Sequence, residues 1–321
     1  MKAAVAENGT VVWAERPIPE PKPGEVRIRV AASAVNRADL VQVAGRYNPP
    51  AGATDVLGLE CAGTIDAVGE GVDRAVGERV AALLVGGGYA EYVCCPAAHL
   101  LNVPDDVDLK YAASLPEVWV TAWLNLMHEG EVTAGERVVL HAGASGVGTA
   151  GIQLVTAAGA SVWVVVGSQD KIDTCVGLGA DGGTNRHHGS WVDDVRAWAD
   201  GGVNLILDPV GADTVPDGIT VLAKRGRLVL IGLLSGRTAE IALGPLLVKR
   251  IRLQGSVLRG RSVAEKTALL DPFRTDVWPR LMAGELTGIT DSVWPMQDVA
   301  KAHERLKTNE TVGKLVLSWD A

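Results

Sequence analysis

At 321 residues the chain is long enough for two domains, each with a buried core of its own. Hydrophobic residues at 47% and charged residues at 21% exclude a disordered tail protein and a fibre. Thirty Lys and Arg against 38 Asp and Glu leave a net charge of -8, and with no basic run to offset it nucleic acid and anionic membrane surfaces are excluded as partners.

The apolar stretch from Ala3 to Ala6 follows Met1-Lys2 but is broken at Glu7, far short of a secretory signal. No stretch reaches the roughly 18 apolar residues of a membrane span, so a cytoplasmic protein is expected. Pro19-Glu-Pro-Lys-Pro-Gly24 reads as a turn or exposed linker, and Glu25-Val-Arg-Ile-Arg-Val30 after it alternates charged and apolar residues as a half-buried strand does. Short apolar runs at Gly63 to Val68, Arg79 to Val85 and Ala90 to Cys94 complete a β-rich first part, expected to form a partly closed barrel.

The texture changes near Tyr111. The spacing from Val118 to His128 predicts a helix, and four short continuous apolar runs follow: Val138 to Leu140, Val162 to Val166, Leu205 to Leu207 and Leu228 to Ile231. Continuous rather than alternating apolar strands, separated by helical segments, predict a parallel sheet covered on both faces. Val147, Ala150, Leu154 and Ala158 share one helical face, and Gly159 can end that helix. After about Gly255 the chain returns to mixed texture and ends in a strand, Gly313 to Ser318.

Between the strand at Val138 and the helix at Val147 lies Ala142-Gly-Ala-Ser-Gly-Val-Gly-Thr-Ala-Gly151. Strand, glycine-rich turn and helix N-terminus together present backbone N–H groups and the helix dipole to a pyrophosphate, where a Cβ would block the approach. Gly143, Ser145, Gly146, Val147 and Gly148 are the candidate contacts. Two registers fit, one using Gly143 and Gly148 with Ser145 as the middle position, the other using Gly146, Gly148 and Gly151. A tight turn that binds nothing is the plain alternative.

After the second parallel strand the chain reads Val166-Gly-Ser-Gln-Asp-Lys171, where an NAD enzyme usually presents a carboxylate to the ribose. Gly167 leaves room, Ser168 can donate to a 2′-phosphate, and Lys171 and Arg186 can supply charge, so NADPH is the expected cofactor. Asp170 dissents, but its place at a helix start suits a cap. The four cysteines, Cys61, Cys94, Cys95 and Cys175, form no CxxC pair, and the six histidines show no metal-binding spacing, so reduced thiols and no metal are expected.

The motifs Asn36-Arg-Ala-Asp-Leu40, Gly45-Arg-Tyr-Asn-Pro-Pro50, Leu57-Gly-Leu-Glu-Cys-Ala-Gly63, Val76-Gly-Glu-Arg-Val80, Gly88-Tyr-Ala-Glu-Tyr92, His141-Ala-Gly-Ala-Ser-Gly-Val-Gly148 and Gly313-Lys314 span nearly the whole chain. In order and spacing the chain resembles the medium-chain dehydrogenase/reductase superfamily. Within it the chain is most similar to the zinc-free quinone oxidoreductases, closest to the tumour-suppressor-inducible branch. The resemblance implies an α/β fold: a GroES-like β-rich catalytic domain over residues 1–115, completed by residues 256–321, and an inserted Rossmann NADPH-binding domain with a doubly wound parallel sheet over residues 116–255. Positions that hold the catalytic metal in zinc-dependent relatives fall here on Asn36, Leu59 and the neighbourhood of Pro116-Glu117, from which no zinc site can be built.

The implied activity is hydride transfer from NADPH to a quinone-like acceptor, with most of the rate coming from placement and exclusion of water. By the resemblance Tyr47 faces the nicotinamide and bonds or protonates the acceptor, or else is held in its Pro-Pro turn for packing alone. Asn36 is placed at the nicotinamide ribose, and Thr121, Gly232 and Leu258 are carried over to the nicotinamide end. Asp39 and Glu60 divide evenly between structural hydrogen bonding and catalysis. An enone or enoyl-thioester reductase on the same scaffold is the alternative reaction, and a non-catalytic NADPH-binding protein the alternative of another class. Arg250-Ile-Arg-Leu-Gln-Gly-Ser-Val-Leu258 is the candidate edge strand for a homodimer or dimer of dimers, with Arg250 and Arg252 as the guards of a monomer's edge otherwise.

Overall fold

The computed structural model describes residues 1–320, and among them the chain separates into two compact units, Met1–Val120 with Arg259 onward, and Thr121–Leu258. Among the described residues no helix is long and apolar enough to cross a membrane.

The first unit is built on one long strand, Glu25–Ala34. One edge pairs with Glu60–Val68, antiparallel. The other edge is shared: Tyr92–Pro96 takes its first half and Lys314–Ser318 its last, both antiparallel. A strand from the far end of the chain therefore closes the ladder begun near the start. Lys314–Ser318 in turn pairs in parallel with Thr290–Pro295, and Arg79–Leu83 and Leu100–Asn102 extend the opposite side to seven strands. The alternating pattern of residues 25–30 has the predicted physical result, with Val26, Ile28 and Val30 buried together with Cys61, Ile65, Val80 and Cys95. A hairpin of Lys2–Glu7 and Thr10–Glu15 lies apart from this sheet in hydrogen bonding. Its first strand is the apolar stretch at Ala3, and Ala3 and Val5 bury against Val56 and Ala90.

The second unit is a six-stranded, wholly parallel sheet. Its strands are Arg137–His141, Ser161–Val166, Gly182–Asn185, Val203–Asp208, Leu222–Leu230 and Arg252–Gly255. Counted along the chain from one to six, they lie in the order 3-2-1-4-5-6. That is the doubly wound Rossmann order, with its topological switch between Arg137–His141 and Val203–Asp208. Val138, Val139, Leu140, Val162, Val164, Leu205, Ile206 and Leu228 are all buried, which is why these strands read as unbroken apolar runs. The helix predicted over 118–128 is α-helical at Pro116–Trp123 and continues as a π-helical turn, Leu124–His128.

Candidate active site

In the second unit the residues singled out for cofactor binding gather at one edge of the sheet. The loop 142–145 follows Arg137–His141, Gly167 and Ser168 follow Ser161–Val166, Arg186 follows Gly182–Asn185, Gly232 follows Leu222–Leu230, and Leu258 lies beyond Arg252–Gly255. These are the carboxyl ends of five parallel strands, where ligands of open α/β sheets bind. Thr121 lies instead on the helix Pro116–Trp123, where its carbonyl accepts from Asn125 Nδ2 at 2.8 Å.

The helix Gly146–Ala157 has Ser145 as its N-cap, the hydroxyl accepting from the Gly148 N–H at 3.1 Å. A Cβ on Gly148 would sit 2.3 Å from the Gly143 carbonyl oxygen, and one on Gly143 would sit 2.5 Å from the Val164 side chain. Gly143 is thus the turn glycine and Gly148 the close-packing one, which selects the first of the two registers and puts Ser145 in the middle position. Thr149 N–H bonds the Ser145 carbonyl and Gly148 N–H its hydroxyl, while the N–H groups of Gly146 and Val147 have no acceptor among the described residues. These are the orphan donors of a helix N-terminus, and with the dipole they suit an anion.

Ser168 caps the helix Gln169–Gly177, accepting from the Lys171 N–H at 3.4 Å. Its hydroxyl keeps a proton to donate. Arg186 bonds back through its N–H to the Val166 carbonyl at 2.8 Å, and its guanidinium lies over Gly167, 3.0 Å from where a Cβ would be. An Arg in no ion pair among the described residues therefore stands beside Gly167 and the capping Ser168, whose helix also carries the half-buried Lys171. Asp170 is exposed in the first turn of the helix. Gly232 approaches Pro209 so closely that a Cβ would be 2.6 Å from its carbonyl oxygen, and Leu258 is buried. Asp208 ends the fourth strand fully buried, its carboxylate accepting from Val210 N–H, Gly211 N–H and the Thr214 hydroxyl, a turn-holding role.

In the first unit a buried polar network runs beneath the residues assigned to chemistry. Glu60 is fully buried; its Oε1 accepts from Lys314 Nζ at 2.8 Å and Asn36 Nδ2 at 2.9 Å, and its Oε2 from the Glu117 N–H at 2.8 Å. Lys314 also donates to Asn36 Oδ1 at 2.5 Å and to the Val35 carbonyl. Both ends of the Asn36 amide have protein partners, Nδ2 on Glu60 and Oδ1 on Lys314, which fix its orientation. Asp39 is fully buried, its Oδ2 accepting from Asn36 N–H and the Tyr89 hydroxyl, each at 2.8 Å. Burial raises the Asp39 carboxyl to about 6 against these hydrogen bonds. Glu60 and one oxygen of Asp39 are thus held by hydrogen bonds within the protein, while Asp39 Oδ1 is buried with no partner among the described residues. The Lys314 ammonium, which holds the network together, was visible in the sequence only as part of Gly313-Lys314.

Tyr47 stands at the edge of this network, half-buried, with the Arg259 guanidinium 5.1 Å from its ring centre. Its hydroxyl is raised, first by burial and then by Glu117. Glu117 is pushed up to about 8 by burial and by the neighbouring Glu60. Neither Arg259 nor Glu117 was singled out from the sequence for chemistry; a buried Arg at 4% exposure is the signal, and only the tertiary structure carries it.

Two family descriptions match: "Alcohol dehydrogenase GroES-like domain" over residues 22–105 and "Zinc-binding dehydrogenase" over residues 146–271. The chain is 30% identical over 321 residues to the synaptic vesicle membrane protein VAT-1 homolog of Homo sapiens, covering 93% of this chain and 80% of that protein. The chain belongs to the medium-chain dehydrogenase/reductase superfamily. Solved structures share the architecture end to end. A mycobacterial structure complexed with NADPH is 31% identical with a TM-score of 0.87, covering 99% of this chain and 100% of that one. A quinone oxidoreductase of Pseudomonas syringae is 28% identical at 0.87, covering 99% of both chains. The CurK enoyl reductase is 26% identical at 0.86, covering 99% and 98%. The chain also matches a mycocerosic acid synthase-like polyketide synthase of Mycobacterium tuberculosis at 29% identity, but spans only 14% of that protein's length.

The zinc in one family description does not fit this dehydrogenase/reductase chain. Leu59 has no ligand atom, and the Asn36 amide oxygen faces an ammonium that would repel a divalent cation. Among the described residues no three His, Cys, Asp or Glu converge as a metal site.

Proposed function

We propose that this chain is an NADPH-dependent, zinc-independent oxidoreductase that reduces a quinone-like acceptor. The observation that carries the reading is the corner at Gly167, where the Arg186 guanidinium and the Ser168 hydroxyl stand where an NAD enzyme would place a carboxylate. The similarity to a structure complexed with NADPH supports it. NADPH supplies a hydride from its nicotinamide ring. The chain's own part is to hold it: Gly143, Ser145, Gly146, Val147 and Gly148 for the pyrophosphate, Gly167, Ser168, Lys171 and Arg186 for the 2′-phosphate, and Thr121, Gly232 and Leu258 for the nicotinamide end. Tyr47 orients the acceptor through its ring and its hydroxyl, and Asn36 positions the wall behind it. A quinone suits a site without a metal, because the charge that arrives with the hydride spreads over the acceptor.

Reduction of an enone or enoyl thioester is the second reading, favoured by the similarity to an enoyl reductase. Following NADPH absorbance with an ortho-quinone, an α,β-unsaturated ketone and an enoyl thioester tests both. Turnover fastest with the quinone is expected; turnover confined to the enoyl substrates selects the second reading, and NADPH binding without turnover of any of them selects a non-catalytic binding protein.

The partner surface we propose is a second copy of the chain. The edge strand Arg252–Gly255 has one unpaired side, and around it Leu233, Leu234, Leu253 and Val257 are exposed, with Leu247 and Val248 at 78% and 80% on a helix, Leu243–Lys249, that buries no residue. An apolar patch beside a free strand edge is a surface that association would cover.

A further inference from the structure

Arg259 is 4% exposed, yet among the described residues it has no carboxylate partner. Its Nε and Nη2 both donate to the Val85 carbonyl, at 2.9 and 2.7 Å, which fixes the plane of the guanidinium. Its backbone is fixed as well: Lys266, also buried, donates from Nζ to the Arg259 carbonyl at 2.7 Å, from the helix Val263–Asp276. What remains is Nη1, buried and without a hydrogen-bond partner among the described residues. Buried guanidinium groups are ordinarily paired, and an orphan donor held rigidly in place points to a ligand. The Tyr47 ring lies over the same guanidinium at 5.1 Å, on the loop that follows the helix Arg37–Val43.

We propose that Arg259 is a catalytic residue that receives the acceptor's carbonyl oxygen on Nη1 and stabilises the negative charge that develops there. The proposal rests on the hydride-transfer reading above and names its electrostatic partner. When the conjugate carbon of the quinone or enone takes the hydride with its two electrons, the π pair of the conjugated system is displaced onto the carbonyl oxygen. Nη1 donates to that oxyanion, and a proton from solvent, passed through the Tyr47 hydroxyl, gives the enol; a quinone then reaches the hydroquinone by losing a proton from the hydride-bearing ring carbon to solvent while its second carbonyl oxygen takes one up. A fixed donor aimed at developing charge needs no reorganisation at the moment of reaction. Arg259 thus does what a Lewis-acid metal does in zinc-dependent relatives. The site is selective: it accepts planar carbonyl compounds whose oxygen reaches Nη1 while their ring follows Tyr47, which itself must yield for the oxygen to enter.

Benzoate, a planar carboxylate, is the direct probe, because it can satisfy the same donor without turnover. Titrated into the wild-type protein it should bind and should inhibit competitively against the ortho-quinone but not against NADPH. Arg259→Lys keeps the charge and loses the fork; it should lower kcat with the quinone by about a hundredfold and leave the KM for NADPH unchanged. It should also weaken benzoate by at least about tenfold. Arg259→Ala should recover part of its rate with added guanidinium. If wild-type protein turns over the quinone while benzoate neither binds nor competes, or if folded Arg259→Lys retains the wild-type kcat, the assignment of Arg259 is wrong and the oxidoreductase reading stands. If both variants fail to fold, the wild-type benzoate result alone decides: competition supports the assignment and its absence overturns it. If no acceptor is turned over at all, the functional reading fails, and benzoate binding still reports whether Nη1 takes an anion.

Discussion

At the scale of single residues, buried charge depends on its partners within the protein. Lys314 is 4% exposed against a Glu60 that is wholly buried, so removing the ammonium strands a carboxylate. Lys314→Met should cost about 3–5 kcal/mol, read as a fall in Tm, and adding Glu60→Gln should return part of it. Lys171 has the opposite setting, half-buried at the helix start beside Ser168. Lys171→Ala should raise the KM for NADPH, reducing a preference of at least about tenfold, or about 1.4 kcal/mol, and leave NADH use nearly unchanged. Equal loss with both cofactors would remove Lys171 from the site. Glu117 sets a pH dependence. Its folded carboxyl titrates near 8, above the unfolded value of about 4.3, so the folded state binds the extra proton and stability falls as pH rises between the two. Asp39 adds a contribution of the same sign up to about 6. Glu117→Gln should therefore gain Tm relative to wild type as pH rises through that window; parallel curves would show that Glu117 does not titrate there.

At the scale of elements, local backbone geometry explains where strands and helices stop. The candidate edge strand over 250–258 narrows to Arg252–Gly255, because Arg250 takes a left-handed φ of 56° as the cap of the helix Leu243–Lys249 and cannot join the ladder. The helix before it was not read from the sequence: Leu243, Leu246, Leu247 and Val248 look like core, but only Leu246 packs against the core of the unit, while Leu243, Leu247 and Val248 are exposed. Leu253→Pro tests the edge. It fixes φ and removes an N–H from a four-residue strand, so it should shift the protein from dimer towards monomer while NADPH binding persists. Unchanged sedimentation in a folded variant would move the interface elsewhere.

At the scale of the whole molecule, two expectations can be measured without mutation. Sedimentation at micromolar concentration should show a homodimer or dimer of dimers, since the exposed apolar residues around the edge strand form a patch of the kind association covers. A monomer under those conditions would sink that reading. Prolonged dialysis against a chelator should change neither the rate nor the Tm, because Leu59 and the Lys314-bound Asn36 offer no ligand set. Stoichiometric zinc in the purified protein would contradict it.

The sequence by itself determined what local periodicity and local chemistry encode. Continuous apolar runs marked the parallel strands because both faces of that sheet are covered, and alternation marked Glu25–Val30 because its charged side chains face outward while Val26, Ile28 and Val30 are buried. The glycine loop was legible as a strand–turn–helix unit because the three are contiguous. Its register was not, because both glycine sets are contiguous too; the close approach of Gly148 to Gly143 decided it. The two-residue turn of the Lys2–Glu15 hairpin was missed because its first strand is short and mostly small residues. Only the tertiary structure could bring Asn36, Glu60 and Lys314 into one hydrogen-bonded group, since Lys314 lies 278 residues from Asn36. It alone could show that the amide of Asn36 has its partners within the protein and that one nitrogen of Arg259 has none. Burial and partnership are properties of neighbours brought together by the fold, and no pattern along the chain records them.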